Sequence, residues 1–166
     1  TKFVDLTLSE TVWELLDPSG RLGHEPMTLV LDLRGAGFWH HDILDPAFDF
    51  GGDEAPGQLD WLEIAELRAK GAGADVSATG DLFFDKADTE TYGGMPNPTG
   101  TISISLIGVQ TLLDNLVATG LVSDEEAKGL RTALRVFAEP GSDADDLVSE
   151  IEFTDEGLFA NGRKIR

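Results

Sequence analysis

Residues 81–100, DLFFDKADTETYGGMPNPTG, lead through 101–107, TISISLI, into 108–127, GVQTLLDNLVATGLVSDEEA, and the reading of this run decides the fold. Within it the spacing of apolar residues changes from a period of two to one of 3.6. Val76, Ala78, Gly80, Leu82 and Phe84 alternate over five positions, the strongest strand signal in the chain. A connector rich in Gly and Pro, Thr91 to Gly100, separates it from a second strand with Ile102, Ile104 and Leu106 inward and Thr101, Ser103 and Ser105 outward. Val109, Leu112, Leu113, Leu116 and Val117 then form one stripe of a helix that Gly120 closes. Ser123-Asp124-Glu125-Glu126 is a capping box opening a second helix. Its apolar face holds Ala127, Leu130, Leu134 and Phe137, and Pro140-Gly141 ends it. The pattern predicts a helical hairpin over 108–138.

Working outward, Leu147 to Phe153 returns to strand with Ile151 and Phe153 on the buried side, and Asp155-Glu156-Gly157 and Asn161-Gly162 are turns around a short strand, Leu158 to Ala160. Toward the N-terminus, Val4, Leu6 and Leu8 alternate against Phe3, Asp5 and Thr7, a half-buried strand. Ser9 caps a helical turn, Glu10 to Leu16, which Asp17-Pro18 and Ser19-Gly20 terminate. Met27 to Leu33 is a strand, Arg34 to Gly37 a bend, and Phe38 to His41 a second strand. Asp45 to Gln58 reads as a mobile loop. Leu59 to Ala69 changes phase partway: a bulge, a strand buried on both faces, or a short helix would each account for it. No repeat of fixed period occurs. The expected architecture is α+β: a curved, mainly antiparallel sheet of about seven strands, with the two-helix hairpin packed on one face and the whole of 1–166 forming one domain.

Composition restricts function. With 12 basic and 31 acidic residues the chain carries −19, a field that repels phosphate backbones and acidic membrane surfaces, so nucleic acid is not an expected partner. Dispersed carboxylates of this kind keep a protein soluble, in salty surroundings as elsewhere. The absence of Cys excludes disulfides, thiolate metal sites and Cys nucleophiles. No apolar run reaches the ~18 residues of a membrane-spanning helix.

Candidate sites are few, and a structural role is the expectation for each. His24, His40, His41 and Asp42 are the only transition-metal group, but adjacent residues on a strand point to opposite faces, so His40 and His41 cannot share an ion there. Asp143, Asp145, Asp146 and Glu150 resemble a calcium loop until counted: Val148 and Thr154 occupy the positions where Gly and the bidentate acid belong. Gly71-Ala72-Gly73 lacks a third glycine and precedes a strand, so it is no nucleotide loop, and no G-x-S-x-G elbow is present. The pair Glu63/Glu66 could do acid–base work, but 31 acids make such a pair inevitable. Trp13, Trp39 and Trp61 lie in apolar-patterned segments and are expected in the core. Lys128, Arg131 and Arg135 line one side of the second helix, where they pair with surrounding carboxylates or dock an acidic partner. No catalytic, cofactor or metal residue is assigned, and no enzyme activity or cofactor is expected.

The wording of GADVSATGDLFFD (73–85), GGMPNPTG (93–100), LIGVQTLLDNLVATGLVSDEEA (106–127) and ANGRKI (160–165), with LDPSG (16–20), EPMTLVLDL (25–33) and ILDP (43–46) before them, resembles an alphaproteobacterial family found in relatives of Rhodobacter, domain of unknown function 2125. The resemblance covers nearly the whole chain. Its members resemble periplasmic or envelope proteins with an export signal or anchor. They are longer than 166 residues, which with the start at Thr1 implies a C-terminal portion or processed form. The closing G-x-x-x-N-G, Gly157 to Gly162, is similar to AsmA-like envelope proteins, whose sheets are linked to lipids. The resemblance supplies no catalytic residues. Two functions follow as expectations: a non-enzymatic envelope protein binding a lipid or other apolar ligand between sheet and helices, or an interaction module using a sheet edge or the basic side of the second helix.

Overall fold

The computed structural model describes residues 1–40, 42, 57–87 and 96–166. The elements run β1 (Lys2–Leu6), α1 (Glu10–Leu16), β2 (Met27–Trp39), β3 (Gly57–Gly71), β4 (Ala74–Asp85), β5 (Asn97–Ile107), α2 (Val109–Ala118), α3 (Asp124–Phe137), β6 (Glu139–Pro140), β7 (Asp146–Thr154), β8 (Gly157–Ala160) and β9 (Arg163–Lys164). All strands join one antiparallel sheet in the order β1-β2-β3-β4-β5-β7-β8-β9, with β6 paired to the start of β7. The sheet is open, ending at β1 and β9. It is thus the expected α+β arrangement; the strands beyond the predicted seven include the two-residue pairings β6 and β9.

Register assigns the faces. Opposite residues in the ladder share a face, so Leu106, Ile104 and Ile102 of β5 lie with Val76, Ala78 and Gly80 of β4. The row continues through Ala69, Leu67 and Ile64 of β3 to Leu29, Leu31 and Leu33 of β2. This is the face on which α2 and α3 pack, with Leu113 and Ala127 as their buried residues. The opposite face carries Asp32, Glu63, Asp81, Ser103, Ser105, Glu150 and Glu152.

The phase change in β3 is a bulge, which removes the short-helix alternative. Opposite β2, the pairing steps from Asp32↔Glu66 to Leu33↔Ile64, one extra residue on β3, and a second extra residue lies between Ala36↔Trp61 and Gly37↔Leu59. Each bulge returns the next Leu or Ile to the helix face.

Two expectations are corrected. Arg34 to Gly37 is no bend: β2 is one strand of 13 residues from Met27 to Trp39. The glycines are there because a Cβ on Gly37 would lie 2.3 Å from the carbonyl oxygen of Gln58, and one on Gly35 2.9 Å from that of Trp61. At the N-terminus, Phe3 joins Leu6 on the helix face instead of opposing it. Asp5 adopts φ 56°, and the ladder slips by one residue between Phe3↔Leu29 and Leu6↔Met27. The predicted mobile loop lies outside the described residues except at its end, where Gly57 and Gln58 belong to β3; residues 91–95 of the 91–100 connector are also outside them, while 97–100 begin β5.

The helices reach only part of the sheet. Among the described residues no large side chain is fully buried, and Phe3, Leu29, Leu31, Leu33, Trp39 and Leu59 are 40–59% exposed.

Candidate functional site

The most extensive unexplained feature is this uncovered apolar face. A groove of about 630 Å³ runs between β1, the β2–β4 hairpins and α2, bordered by Phe3, Met27, Leu29, Val76 and Leu112, with Lys70 its one charged residue. A second, about 370 Å³, lies under the hairpin between Ile104, Leu106, Leu113, Leu134 and Phe137. Leu112 borders both. A third, about 440 Å³, occupies the far end of β2 and β3, where Gly35, Gly37 and Gly57 leave space between Leu33, Trp39 and Leu59. Contiguous exposed apolar surface of this kind marks a binding surface more often than a free one. The alternation of β2 foretells which side chains point this way; it holds no signal for how far the helices extend.

The predicted site residues are not gathered. His24 stacks on Trp13, ring centroids 4.2 Å apart at 10°, and its Nε2 is 3.6 Å from Oδ2 of the buried Asp17. Asp17 accepts from the Leu22 amide and the Ser19 hydroxyl, closing the α1 lobe. Burial raises its carboxyl, but the amides of Leu22 and Arg21 with Ser19 and His24 outweigh that and hold it below the usual carboxylate range. His40 sits just past the other end of β2, edge-on to Phe38. The 13 residues between span about 40 Å, so the two histidines cannot share an ion. His41 lies outside the described residues, and among those described no three His, Asp or Glu side chains converge on a metal position.

Asp145 belongs to no calcium loop. Its carboxylate accepts from the amides of Gln110 and Thr111, both at 3.0 Å, capping α2 from a segment 35 residues downstream. The residue in the cap position itself, Gly108, has no side chain to offer; it adopts φ 71°, and any Cβ there would strike the Gly73 carbonyl at 2.4 Å. Burial raises the Asp145 carboxyl, yet its bonds to Thr111 and Gln110 leave it lowered. Asp146 pairs in the ladder with Ile107. Glu63 and Glu66 are engaged by Arg34 and Lys2 on the polar face. Gly71-Ala72-Gly73 turns β3 into β4, and the Gly73 amide donates to Glu25. On α3 the capping box is complete, and Glu126 is held below its ordinary value by the Ser123 hydroxyl and amide. Arg131 pairs with Asp114 of α2, while Lys128 and Arg135 are exposed.

Of the three tryptophans, only Trp13 is core, at 5% exposure. Trp39 is 59% exposed on the helix face and Trp61 half-buried on the polar face. The core expectation fails for Trp39 because the end of β2 lies beyond the reach of the helices.

The closing Gly157 to Gly162 is a clamp. Asn161, at φ 49°, accepts from the Glu150 amide through Oδ1 at 2.8 Å and donates through Nδ2 to the Phe137 carbonyl at 3.1 Å. It fills the step in the β7 edge between β6 and β8 and ties α3 to the sheet. A helix C-terminus and a strand edge are both satisfied by one side chain.

The fold and site thus define an open antiparallel sheet with a helical hairpin, whose principal feature is an apolar groove. The chain belongs to the family described as uncharacterized protein conserved in bacteria, DUF2125, which matches residues 5–162. No curated protein and no solved structure matches it.

Proposed function

We propose that this chain is a non-enzymatic protein of the bacterial periplasm or envelope, a C-terminal portion of a longer alphaproteobacterial protein, and that it holds the acyl chain of a lipid along the helix face. The observation that carries this reading is the pair of grooves meeting at Leu112, lined mainly by apolar side chains. Each methylene moved from water into such surroundings contributes about 0.8 kcal/mol.

The test is native mass spectrometry and organic extraction of the purified protein, with titration of a fluorescent fatty acid. One acyl-bearing molecule per chain is expected, with binding weakened at least tenfold by Leu112→Glu and several-fold by Leu29→Glu, both at residues that line the larger groove. Circular dichroism of each variant confirms its fold. No co-purifying lipid and no saturable uptake of the probe would reject the reading.

A second reading is an interaction module acting through a sheet edge: among the described residues no strand pairs with the far part of β2 on the side of β1. The basic-side version is weaker, since Arg131 is already held by Asp114.

A further inference from the structure

We propose that the polar face of the sheet, opposite the grooves, binds a linear aliphatic polyamine where the rings of Trp61 and Phe83 adjoin the free carboxylates of Asp81, Glu150 and Glu152. The strands concerned, β3, β4, β5 and β7, each have a hydrogen-bonded neighbour on both sides, so the surface belongs to the middle of the sheet. Register brings its side chains together. Trp61 stands opposite Phe83, and Phe83 opposite Thr99. The next row across the sheet is Glu63, Asp81, Thr101 and Glu152, and the one beyond it holds Thr79, Ser103 and Glu150.

The two rings have no packing role on this face. Phe83 is 58% exposed and Trp61 half-buried, among carboxylates and hydroxyls. Among the described residues no other ring stacks on either of them, and no cation lies over either. Beside them the surface is hollowed by small side chains: Ser77, Thr79, Ser103 and Ser105 line a depression of about 400 Å³, with Glu150 at its side.

Charge selects the occupant. On the β1–β3 side of this face the cations are engaged, Lys2 by Glu66, Arg34 by Glu63 and Arg68 by Asp75. On the β4–β7 side Asp81, Glu150 and Glu152 have no side-chain partner among the described residues. The field of a chain carrying −19 adds to theirs. Carboxylates alone attract any counterion, whereas aromatic faces beside them favour a cation that also carries an apolar chain. Lys86 shows this pairing at the end of the same face, its ammonium 4.6 Å from the centre of the Phe38 ring.

Spacing selects the form of the ligand. With strands about 4.8 Å apart and alternate residues about 6.8 Å apart, the Cα of Asp81 lies about 10 Å from that of Glu152 and about 12 Å from that of Glu150. Ammonium groups joined by short methylene chains, as in spermidine, reach across such a triangle, and the methylenes lie over the hydroxyls and the Phe83 ring.

The experiment is isothermal titration of the chain with spermidine at low salt, with magnesium chloride and oligolysine as comparison ligands. One spermidine per chain is expected, with a dissociation constant that rises as salt is added. Asp81→Asn, Glu152→Gln and Phe83→Ala should each weaken binding several-fold, while Phe83→Tyr, which keeps the ring, retains it. Glu125→Gln removes a charge from α3, on the other side of the sheet, and should leave binding unchanged. Circular dichroism confirms the fold of each variant, and if Phe83→Ala loses its sheet signal the two amide variants decide. The absence of saturable heat from spermidine overturns the proposal. So does equal weakening by Glu125→Gln and Asp81→Asn, or displacement by magnesium at the same concentration, either of which makes spermidine a diffuse counterion only. Oligolysine binding tighter than spermidine, with the same dependence on Phe83, overturns it in favour of a basic polypeptide.

Discussion

Strands β4, β5 and β7 and strands β1, β2 and β3 present the same kind of apolar row on the same side of one sheet, but among the described residues only the first set has a second layer over it. Under the hairpin, Ala78 and Leu113 are at most 9% exposed. In the other half Leu29, Leu31 and Leu33, equally regular in their alternation, are 40–52% exposed. The difference teaches that strand patterning records which face is apolar and not whether the molecule covers that face itself. Among the described residues one half of the sheet is a core, and the other leaves the same kind of face exposed.

The sharpest way to break this comparison is to truncate one leucine in each half. Leu113→Ala should lower unfolding free energy by about 2–4 kcal/mol, since it leaves a hole beneath α2. Leu33→Ala should cost less than about 1 kcal/mol in the isolated chain, because its side chain is already half in water. Urea titrations of the two variants measure both; equal losses would mean that the halves do not differ. The next effect is Asp145→Ala, which removes the cap of α2 and should cost about 1–2 kcal/mol, read from the same titrations with loss of helical signal.

The carboxylates of Asp17, Glu126 and Asp145 are all lowered in the folded chain. A lowered carboxyl binds protons less readily folded than unfolded. Its stabilisation is therefore complete above the ordinary values of 3.8 for Asp and 4.5 for Glu and lost as pH falls through the lower folded value. Melting temperature should fall in that acid window, and Asp145→Asn should flatten the fall. Glu126 lies in the hairpin and Asp145 caps its first helix, so the covered half should respond most. The smallest effect belongs to the surface: Arg131→Ala should change stability by no more than about 0.5 kcal/mol, because its pair with Asp114 is solvent-exposed.

Much of the covered half was legible in advance. The alternation from Val76 to Phe84, the change of period at Val109 and the Ser123 capping box each depend on neighbours within a few positions, and each stands as read. What escaped depends on distant atoms. Gly35 and Gly37 read as a bend because glycine permits one; that they stay extended follows from the carbonyls of Trp61 and Gln58 pressed against them. Phe3 changes face through a single residue, Asp5, whose backbone no local pattern announces. The exposure of Trp39 reflects the length of the hairpin relative to β2. Asp145, conspicuous as part of an acidic run, looked like a loop ligand because the amides that it caps are 35 and 34 positions away.

That separation also orders events in time. Until β7 has docked beside β5, the first turn of α2 has no acceptor for the amides of Gln110 and Thr111, and a helix of 10 residues is marginal alone. The long loop must close first. α2 should therefore become persistent only with the β5–β7 pairing, late in folding, and pulse-labelled hydrogen exchange should find its amides protected no earlier than those of β7. Asp145 thus acts as a latch that lets the second layer set only after the sheet beneath it exists.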